Sequence, residues 1–346
     1  AFSHVCDEIV INDTSKTTAV ATRVAGPPRI NLMLYVDDGR TFDNCAAVCD
    51  GFMERLCARF SITRGGGGLT YMIGMDIELG EGWTKICSRT YILGLCKKWL
   101  EHPIEDYAPV HTPAHPKLLD LYEAAFQARG TSSPQLATDF RSLVGALLFP
   151  SPVTRPDCLF AVGVHGRAMT FPTDDLMKSA LRLLVYMGQT ADHGITYSRF
   201  APNADVLEWW SDSDWAVRRS TTGGTGQLAG GSVTAMSRRQ DCITGSSTHA
   251  EIVAASTNSN DLLWSRGLSD ELGLTQHEPT KMKVDAANVL TIASNFISSK
   301  QTRHISRREL IVREREIEGH LELDKVPTED NLADMMTKAL DRVPFE

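Results

Sequence analysis

The sequence Trp209-Trp210-Ser211-Asp212-Ser213-Asp214 lies within a strand-like run at residues 206–215. Two further strands, punctuated by glycine, are predicted at residues 222–231 and 232–240. A long helix is predicted to begin near Ser247. Three consecutive strands followed by a helix indicate one half of a sheet that packs against helices.

The carboxy-terminal third continues the same pattern of strands and helices. We predict a strand at residues 281–285, a helix through Ala293, a helix at residues 303–318, a strand at residues 321–326 and a final helix at about residues 329–340. These elements predict an α/β (α+β) domain, in which a mixed five-stranded sheet is flanked by helices.

Four acidic residues occupy corresponding places in these elements. Asp212 lies on the first strand and Glu251 at the start of the long helix, whereas Asp285 closes the fourth strand and Asp334 opens the final helix. In a domain built of a sheet and helices, these positions would bring the four carboxylates close to one point. Clustered carboxylates suit a hard divalent ion better than Cys or His would. We therefore predict a two-metal nuclease centre, with these four residues as catalytic groups and metal ligands.

Each acid also has a purely structural interpretation that the sequence leaves open. The four interpretations are a capping box for Thr248-x-x-Glu251, a similar box for Asn331-x-x-Asp334, an N-cap for Asp285 and a simple turn that pairs Asp212 with Asp214. Taken together they are weaker than the nuclease interpretation, because four independent caps would not need this order along the predicted elements.

Composition limits the function classes. The 346 residues suffice for two or three domains, and a net charge of −8 argues against strong, autonomous nucleic-acid binding. The sequence contains no run of about 18 apolar residues, which predicts no membrane span. Eight cysteines without metal-ligand spacing predict reduced thiols in an intracellular protein. The first residues lack Met and a secretory signal, so we expect a piece of a longer protein.

The amino-terminal region has one feature with chemical potential. A β-prone run at residues 30–36 stops at Asp37-Asp38-Gly39. Adjacent acids at a strand tip can hold a divalent ion, but an Asp-Gly turn between two strands is the favoured local interpretation. Farther along, prolines between residues 103 and 116 mark a domain edge, and residues 140–187 carry helical apolar stripes without evident chemistry.

Several stretches resemble the carboxy-terminal part of a Pol polyprotein from a copia-type long-terminal-repeat retrotransposon. The matching stretches are Tyr35-Val36-Asp37-Asp38, Thr154-Arg155-Pro156-Asp157, Arg219-Ser220-Thr221-Thr222-Gly223, Ser246-Ser247-Thr248-His249-Ala250-Glu251, Arg303-His304-Ile305 and Leu332-Ala333-Asp334 with Thr337-Lys338. The resemblance covers nearly the whole chain. It implies the end of a reverse-transcriptase palm and thumb-like region at residues 1–102, a mainly helical connection at residues 103–204 and a ribonuclease H-like domain at residues 205–342.

The resemblance also implies a reaction. A ribonuclease H domain cuts the RNA strand of an RNA–DNA hybrid with two Mg²⁺ ions about 3.5–4 Å apart, and Mn²⁺ is expected as a substitute. Asp212 would bridge the ions, Glu251 and Asp285 would complete one site, and Asp334 would complete the other. The implied partners are the hybrid and the rest of the Pol polyprotein. No membrane and no other small-molecule cofactor is expected, and the implied location is a cytoplasmic virus-like particle and the nucleus.

Further residues take roles from the same resemblance. Arg303, His304 and Arg307 are candidate substrate contacts. Asp37 and Asp38 would be two parts of a three-part polymerase metal site, so this part is expected to be incomplete and inactive alone. Apolar residues of the family are replaced at residues 39–41, which predicts a poor hairpin.

Other departures from the family pattern keep two alternatives open. Gly224 and Ala235-Met236 stand where the family has aromatic residues, which predicts weakened packing. One alternative is therefore a catalytically inactive remnant that acts as a folded scaffold or interaction module. The other is a nuclease of the same fold that acts on duplex DNA or DNA junctions.

Overall fold

The computed structural model describes residues 30–35, 38–43, 46–61, 69–128, 130, 132–215, 219–294 and 311–341. The amino-terminal elements are β1 (Ile30–Tyr35), β2 (Asp38–Asp43), α1 (Ala46–Arg59), β3 (Tyr71–Met72), β4 (Met75–Gly80), β5 (Trp83–Cys87) and α2 (Arg89–Trp99). The middle elements are α3 (Leu118–Ala128), α4 (Pro134–Leu148), α5 (Pro150–Val153), α6 (Leu159–Arg167), α7 (Asp174–Gln189) and β6 (Gly194–Ser198). Short 3-10 turns at Ile104–Asp106 and Pro156–Cys158 join them.

The carboxy-terminal elements, which follow β6, form a unit of strands and helices. They are β7 (Glu208–Asp214), β8 (Thr221–Leu228), β9 (Gly231–Arg239), α8 (Ser247–Glu271), β10 (Thr280–Val284), α9 (Ala287–Ser294), α10 (Ile311–Ile317) and β11 (Leu321–Lys325). Two 3-10 turns follow, at Thr328–Asp330 and Asp334–Met336. The predicted strands and the start of the long helix therefore agree with the structure to within about three residues, the largest difference being at the end of β8.

These five strands form one mixed sheet in the order β11-β10-β7-β8-β9. β8 is antiparallel to both of its neighbours, whereas β10 is parallel to β7 and to β11. α8 packs against β7 and β8, and α10 packs against α8. The predicted fold class, a mixed five-stranded sheet flanked by helices, is confirmed.

The central strands are buried on both faces, and two adjacent glycines of β8 show why. A Cβ atom on Gly224 would lie 1.6 Å from Oδ1 of Asn258 on α8. A Cβ atom on Gly223 would lie 2.6 Å from Cγ2 of Thr337, in the carboxy-terminal turn. Successive side chains of a strand point to opposite faces, so α8 covers one face and the carboxy-terminal turn covers the other. The glycine at position 224, predicted to weaken packing, makes room for a polar side chain.

The final helix predicted at about residues 329–340 is wrong, because this segment forms two separate 3-10 turns. Asn331 interrupts it with extended backbone at φ −83° and ψ 99°. Its Oδ1 accepts a hydrogen bond from the Ala333 amide at 3.2 Å, and its Nδ2 donates to the Ser211 carbonyl at 3.2 Å. Local side-chain bonds of this kind compete with helix formation, and the second one ties the segment to β7.

The amino-terminal and middle segments share a second sheet, in the order β3-β4-β5-β6. β6 pairs antiparallel with β5, and α2 packs against α7. A hydrophobic core formed by α2, α3, α4, α6 and α7 lies between the middle helices. The domain boundaries at residues 102/103 and 204/205 stay predictions.

The hairpin expected to be poor is formed, with β1 and β2 paired from Ile30↔Asp43 to Tyr35↔Asp38. Asp38 and Gly39 therefore begin the second strand, and the predicted turn at Asp37-Asp38-Gly39 is wrong for these two residues. Within the part of the chain that the structure describes, none of the helices combines the length and apolar character needed to cross a bilayer.

Candidate active site

Three of the four predicted acids meet at one point. Carboxylate oxygens of Asp212, Asp285 and Asp334 all lie within 4.8 Å of one another. They come from β7, from the residue after β10 and from the last 3-10 turn, and the first and last of these residues are 122 positions apart in the chain (334 − 212). β7 and β10 are parallel neighbours, so their carboxyl ends approach the same edge of the sheet, as the sequence predicts.

Asp212 is the most deeply buried member, with 1% of its surface exposed. Its backbone pairs with Gly223 of β8. The Thr337 hydroxyl donates a hydrogen bond to Oδ2 of Asp212, and Nζ of Lys338 lies 3.7 Å from the same oxygen. Asp212 and Asp214 both lie in β7, so the interpretation that they pair in a turn is wrong.

Asp334 and Asp285 are held by neighbouring turns. Lys338 follows Asp334 by four residues, and its Nζ donates to Oδ1 of Asp334 at 2.8 Å. The Thr328 hydroxyl donates to Oδ2 of Asp285 at 3.0 Å. Lys338 belongs to the segment predicted to be a helix, and Thr328 immediately precedes it. The irregular backbone of this segment therefore supplies partners to both carboxylates.

Glu251 stands beside this cluster on α8. The helix is capped by Ser246, whose hydroxyl accepts a hydrogen bond from the His249 amide at 3.1 Å, so the alternative interpretation of Thr248 and Glu251 as a capping box is wrong. Glu251 is free of that structural role and faces the negative charges of Asp212 and Asp285. Its oxygens do not belong to the group that lies within 4.8 Å.

The electrostatics of the site show excess negative charge. Burial raises the pKa of Glu251 to about 8, and the charges of Asp212 and Asp285 add to the rise. Burial also raises the pKa of Asp212 to about 6, although Lys338 and the Thr337 hydroxyl oppose the rise. Burial lowers the pKa of Lys338, but the charge of Asp212 and the bond to Asp334 raise it to a net value above the usual range. One ammonium group therefore compensates four acids only in part.

Asn258 fixes the distance between α8 and the sheet, and is fully buried. Its Oδ1 accepts from Nε1 of Trp209 at 3.0 Å. Its Nδ2 lies within hydrogen-bond distance of Oγ of Ser211 at 3.0 Å and of the Gly223 carbonyl at 2.9 Å. The β7 residues in these bonds lie next to Asp212, and Asn258 lies two helical turns from Glu251. The bonds therefore fix how α8 is placed along β7, and with it the position of Glu251 relative to Asp212.

The donor set fits a divalent cation. Oxygen-only ligands from three convergent carboxylates match hard ions such as Mg²⁺, and the partial neutralisation by Lys338 indicates a place where positive charge is stabilised. Two-metal sites are one class of centre that hydrolyses phosphate esters.

The remaining predicted site residues lie largely outside the described part of the chain. Arg303, His304 and Arg307 fall in residues 295–310, and Asp37 falls in residues 36–37, both outside the described residues. For Asp38, only the backbone in β2 is described.

Sequence reasoning assigned no role to Thr337, Lys338 and Asn258. Lys338 follows Asp334 by four residues, a spacing that brings an acid and a base together on one turn, and this signal could have identified it. Nothing local marks Asn258, because its function depends on a tertiary contact with Gly224.

Comparisons with known proteins agree with the resemblance. The chain is 30% identical over 342 residues to the retrovirus-related Pol polyprotein of transposon RE2 from Arabidopsis thaliana, a match that covers 97% of this chain and 22% of that protein. It is 28% identical over 341 residues to the corresponding protein of transposon RE1 from the same plant, again covering 97% and 22%. The chain thus spans about a fifth of the length of these relatives. No protein-family profile matches it.

Among solved structures, LC11-RNase H1, isolated from compost, is 14% identical with a TM-score of 0.31, over 38% of this chain and 93% of that one. The same protein in complex with an RNA/DNA hybrid is 12% identical with a TM-score of 0.30, over the same shares. TM-scores this low support no argument about chemistry, which is therefore inferred from the side chains of the site.

Proposed function

Because this chain belongs to the retrovirus-related Pol polyproteins of transposons, we propose that its carboxy-terminal unit is a ribonuclease H-type endonuclease of the copia type. The proposed reaction is hydrolysis of the RNA strand of RNA–DNA hybrids, with two Mg²⁺ ions that Mn²⁺ can replace. The observation that carries this proposal is the convergence of Asp212, Asp285 and Asp334 within 4.8 Å, with Glu251 beside them.

When bound, Mg²⁺ supplies the positive charge that activates water and stabilises the charge developing on the phosphate. Asp212 would be the ligand common to both ions, Glu251 and Asp285 would complete one site, and Asp334 would complete the other. Thr337 holds Oδ2 of Asp212 in place, so that this buried carboxylate presents its oxygens in one orientation.

Substrate selection is proposed to depend on the shape of the hybrid. Proteins distinguish such duplexes through the minor groove and through contacts with 2′-hydroxyl groups rather than bases. Arg303, His304 and Arg307 are proposed contacts on the strength of the sequence alone. The proposed partners are the hybrid and the other parts of the Pol polyprotein, inside the cell. Asp37 and Asp38 belong to a polymerase site that we propose to be incomplete and inactive in this chain.

The decisive experiment incubates the full chain with three end-labelled duplexes, an RNA–DNA hybrid, duplex DNA and duplex RNA, over a Mg²⁺ titration with a chelator blank. We expect cleavage of the hybrid's RNA strand alone, with 3′-hydroxyl and 5′-phosphate ends. Asp212→Asn should reduce the rate by at least about 10³-fold, because several kcal/mol of charge stabilisation depend on the bound metal.

Three outcomes would contradict the proposal in different ways. Equal cleavage by Asp212→Asn would show that a contaminant is responsible. Preferential cleavage of duplex DNA would support the other nuclease class. Metal binding without any cleavage, at any enzyme concentration, would support an inactive scaffold, to which the net charge of −8 also points.

A further inference from the structure

The turn that carries Asp334 has little internal structure of its own. It is a single 3-10 turn, Asp334–Met336, followed by two amide hydrogen bonds, from Thr337 and Lys338 to the Asp334 carbonyl at 3.0 and 3.1 Å. One isolated turn is not stable without packing. The position of Asp334, which must lie within ångströms of Asp212, therefore depends on the surfaces that enclose this segment. We call residues 333–340 the Asp334 turn.

The first enclosing surface is β8. A Cβ atom added to Gly223 would meet Cγ2 of Thr337 at 2.6 Å, the Ala333 carbonyl oxygen at 2.8 Å and Cβ of Met336 at 3.1 Å. Met336 and Thr337 are almost completely buried. The turn thus packs directly on Gly223 of β8, the residue that pairs with Asp212.

The second enclosing surface belongs to the middle segment of the chain. The 3-10 turn Pro156–Cys158 and α6 both pack against Asp334–Met336. A small cavity at this contact is lined by Met335, Lys338 and Leu340 from one side and by Pro113, Ala114, Asp157, Phe160 and Ala161 from the other. Ala339 packs against the hydrophobic core of the middle helices.

A hydrogen bond fastens this second surface to the sheet. Nη2 of Arg167, at the end of α6, donates to Oγ1 of Thr221 in β8 at 3.2 Å. α6 also lies against β9, where a Cβ atom on Gly163 would meet Ser237 at an ordinary 3.8 Å. The distance between α6 and the sheet is therefore set independently of the Asp334 turn, and the turn occupies the space between them.

We propose that α6 and the 3-10 turn Pro156–Cys158 are a positioning wall for Asp334, so that the middle segment sets the geometry of the metal centre in the carboxy-terminal unit. Ala161 is a positioning residue of this wall. A larger side chain there displaces Met335 and Lys338, and with them the carboxylate of Asp334. The consequence for cleavage rests on the proposed function, whereas the positioning itself does not.

The test enlarges one buried alanine in the wall and one away from it. Ala161→Val adds two methyl groups towards the Asp334 turn, and Ala125→Val adds them to α3 in the same hydrophobic core. Both variants bear an overpacking penalty. In metal-free full chain, we expect faster amide hydrogen exchange at residues 336–338 in Ala161→Val, and wild-type exchange there in Ala125→Val. Mg²⁺ binding by titration calorimetry should weaken about tenfold in the first variant only.

A second pair tests the opposite surface. Gly223→Ala should produce the same exchange and binding changes, whereas Gly163→Ala should leave both at wild-type values. Equal exchange at residues 336–338 in the two valine variants would overturn the proposal, whether or not any metal binds. Failure of the nuclease proposal is distinguishable, because it would appear as absent cleavage while the exchange pattern stays as expected.

Discussion

Asp157 in the middle segment and Asp212 in the carboxy-terminal unit are both largely removed from solvent, yet their surroundings differ. Arg155 donates to both oxygens of Asp157, at 3.0 and 2.7 Å, and the Tyr186 hydroxyl donates to Oδ2 at 2.9 Å. Arg155 is itself satisfied by the Thr190 carbonyl and hydroxyl at 3.1 and 2.8 Å. Asp212 instead shares one ammonium group with Asp334 and lies beside further acids.

The two carboxyl groups titrate in opposite directions as a result. Burial alone would raise the pKa of Asp157, but the Arg155 guanidinium more than offsets it and holds the pKa below its usual range. Burial raises the pKa of Asp212 to about 6, and the partial compensation by Lys338 does not reverse this. A carboxylate with complete partners supports the fold, whereas one left short of positive charge is suited to binding a cation.

The largest change in stability that would test this contrast is expected on replacing Arg155. Arg155→Met leaves Asp157, whose side chain is 20% exposed, without its cation, and should lower the free energy of unfolding by about 3 kcal/mol. Urea denaturation measures the change. Lys178→Met removes an exposed ion pair with Asp175, whose side chains are 76% and 66% exposed, and should change stability by less than about 1 kcal/mol. Similar losses in both variants would remove the distinction between the middle network and a surface pair.

Asparagine substitutions should give effects of opposite sign at the two sites. In metal-free protein at pH 7, Asp212→Asn relieves a buried charge and should raise the free energy of unfolding by about 2 kcal/mol, following the rise in its pKa. Asp157→Asn weakens the bonds to Arg155 and should lower it. Thermal or urea unfolding with a chelator present measures both. If both variants were less stable than the wild type, Asp212 would be a structural carboxylate like Asp157.

The pH dependence provides a third comparison. The unfolded state loses the Glu251 proton near the ordinary pKa of 4.5, whereas the folded state keeps it until the pH approaches about 8. This contribution to the stability of metal-free protein is therefore present below about pH 4.5 and lost as pH rises to about 8. Asp157 has a lowered pKa, so its contribution is present above the ordinary pKa and lost at more acid pH.

We expect Glu251→Gln to flatten the decline in stability across pH 5 to 8, measured by urea unfolding in chelator. Glu78→Gln, at an exposed surface ion pair with Lys85, serves as the matched control and should keep the wild-type slope. An unchanged slope in Glu251→Gln would show that this side chain loses its proton normally in the folded protein.

The smallest expected effect is at Lys338. Lys338→Met removes the ammonium that lies 2.8 Å from Asp334 and 3.7 Å from Asp212, and should tighten Mg²⁺ binding about tenfold because a competing cation is lost. Titration calorimetry measures the affinity. Lys283→Met is a matched control, since Lys283 pairs with Glu208 at 2.8 Å on the neighbouring strand. Weaker binding in Lys338→Met would mean that the lysine orients Asp334 more than it competes with metal.

Local sequence patterns predicted the elements that local forces determine. The strands found at Thr280–Val284 and Leu321–Lys325 differ from their predictions by one residue at most, because apolar alternation and the neighbouring turns specify them. The convergence of Asp212, Asp285 and Asp334 also followed from the order of elements. The strands need only the residues of their own segments, and the convergence needs in addition the order of the elements and a general rule for sheet topology.

The errors occurred where distant residues decide. Asn331 breaks the predicted final helix because it bonds to β7, 120 residues earlier in the chain. A local turn was equally hard to locate, because β3 and β4 are separated by Ile73 and Gly74, both with positive φ. A β-branched residue rarely adopts this conformation, so sequence alone could not have located the turn at Ile73.

The close approach of Gly224 to Asn258 also restricts how this protein can vary. A side chain at position 224 requires the space that the Asn258 amide occupies, and loss of that amide leaves the indole of Trp209 without its acceptor. The three positions can therefore change only together, as a coupled set. Relatives with a bulky residue at the position of Gly224 would carry a small residue at the position of Asn258. Aligned sequences would show the two replacements occurring together.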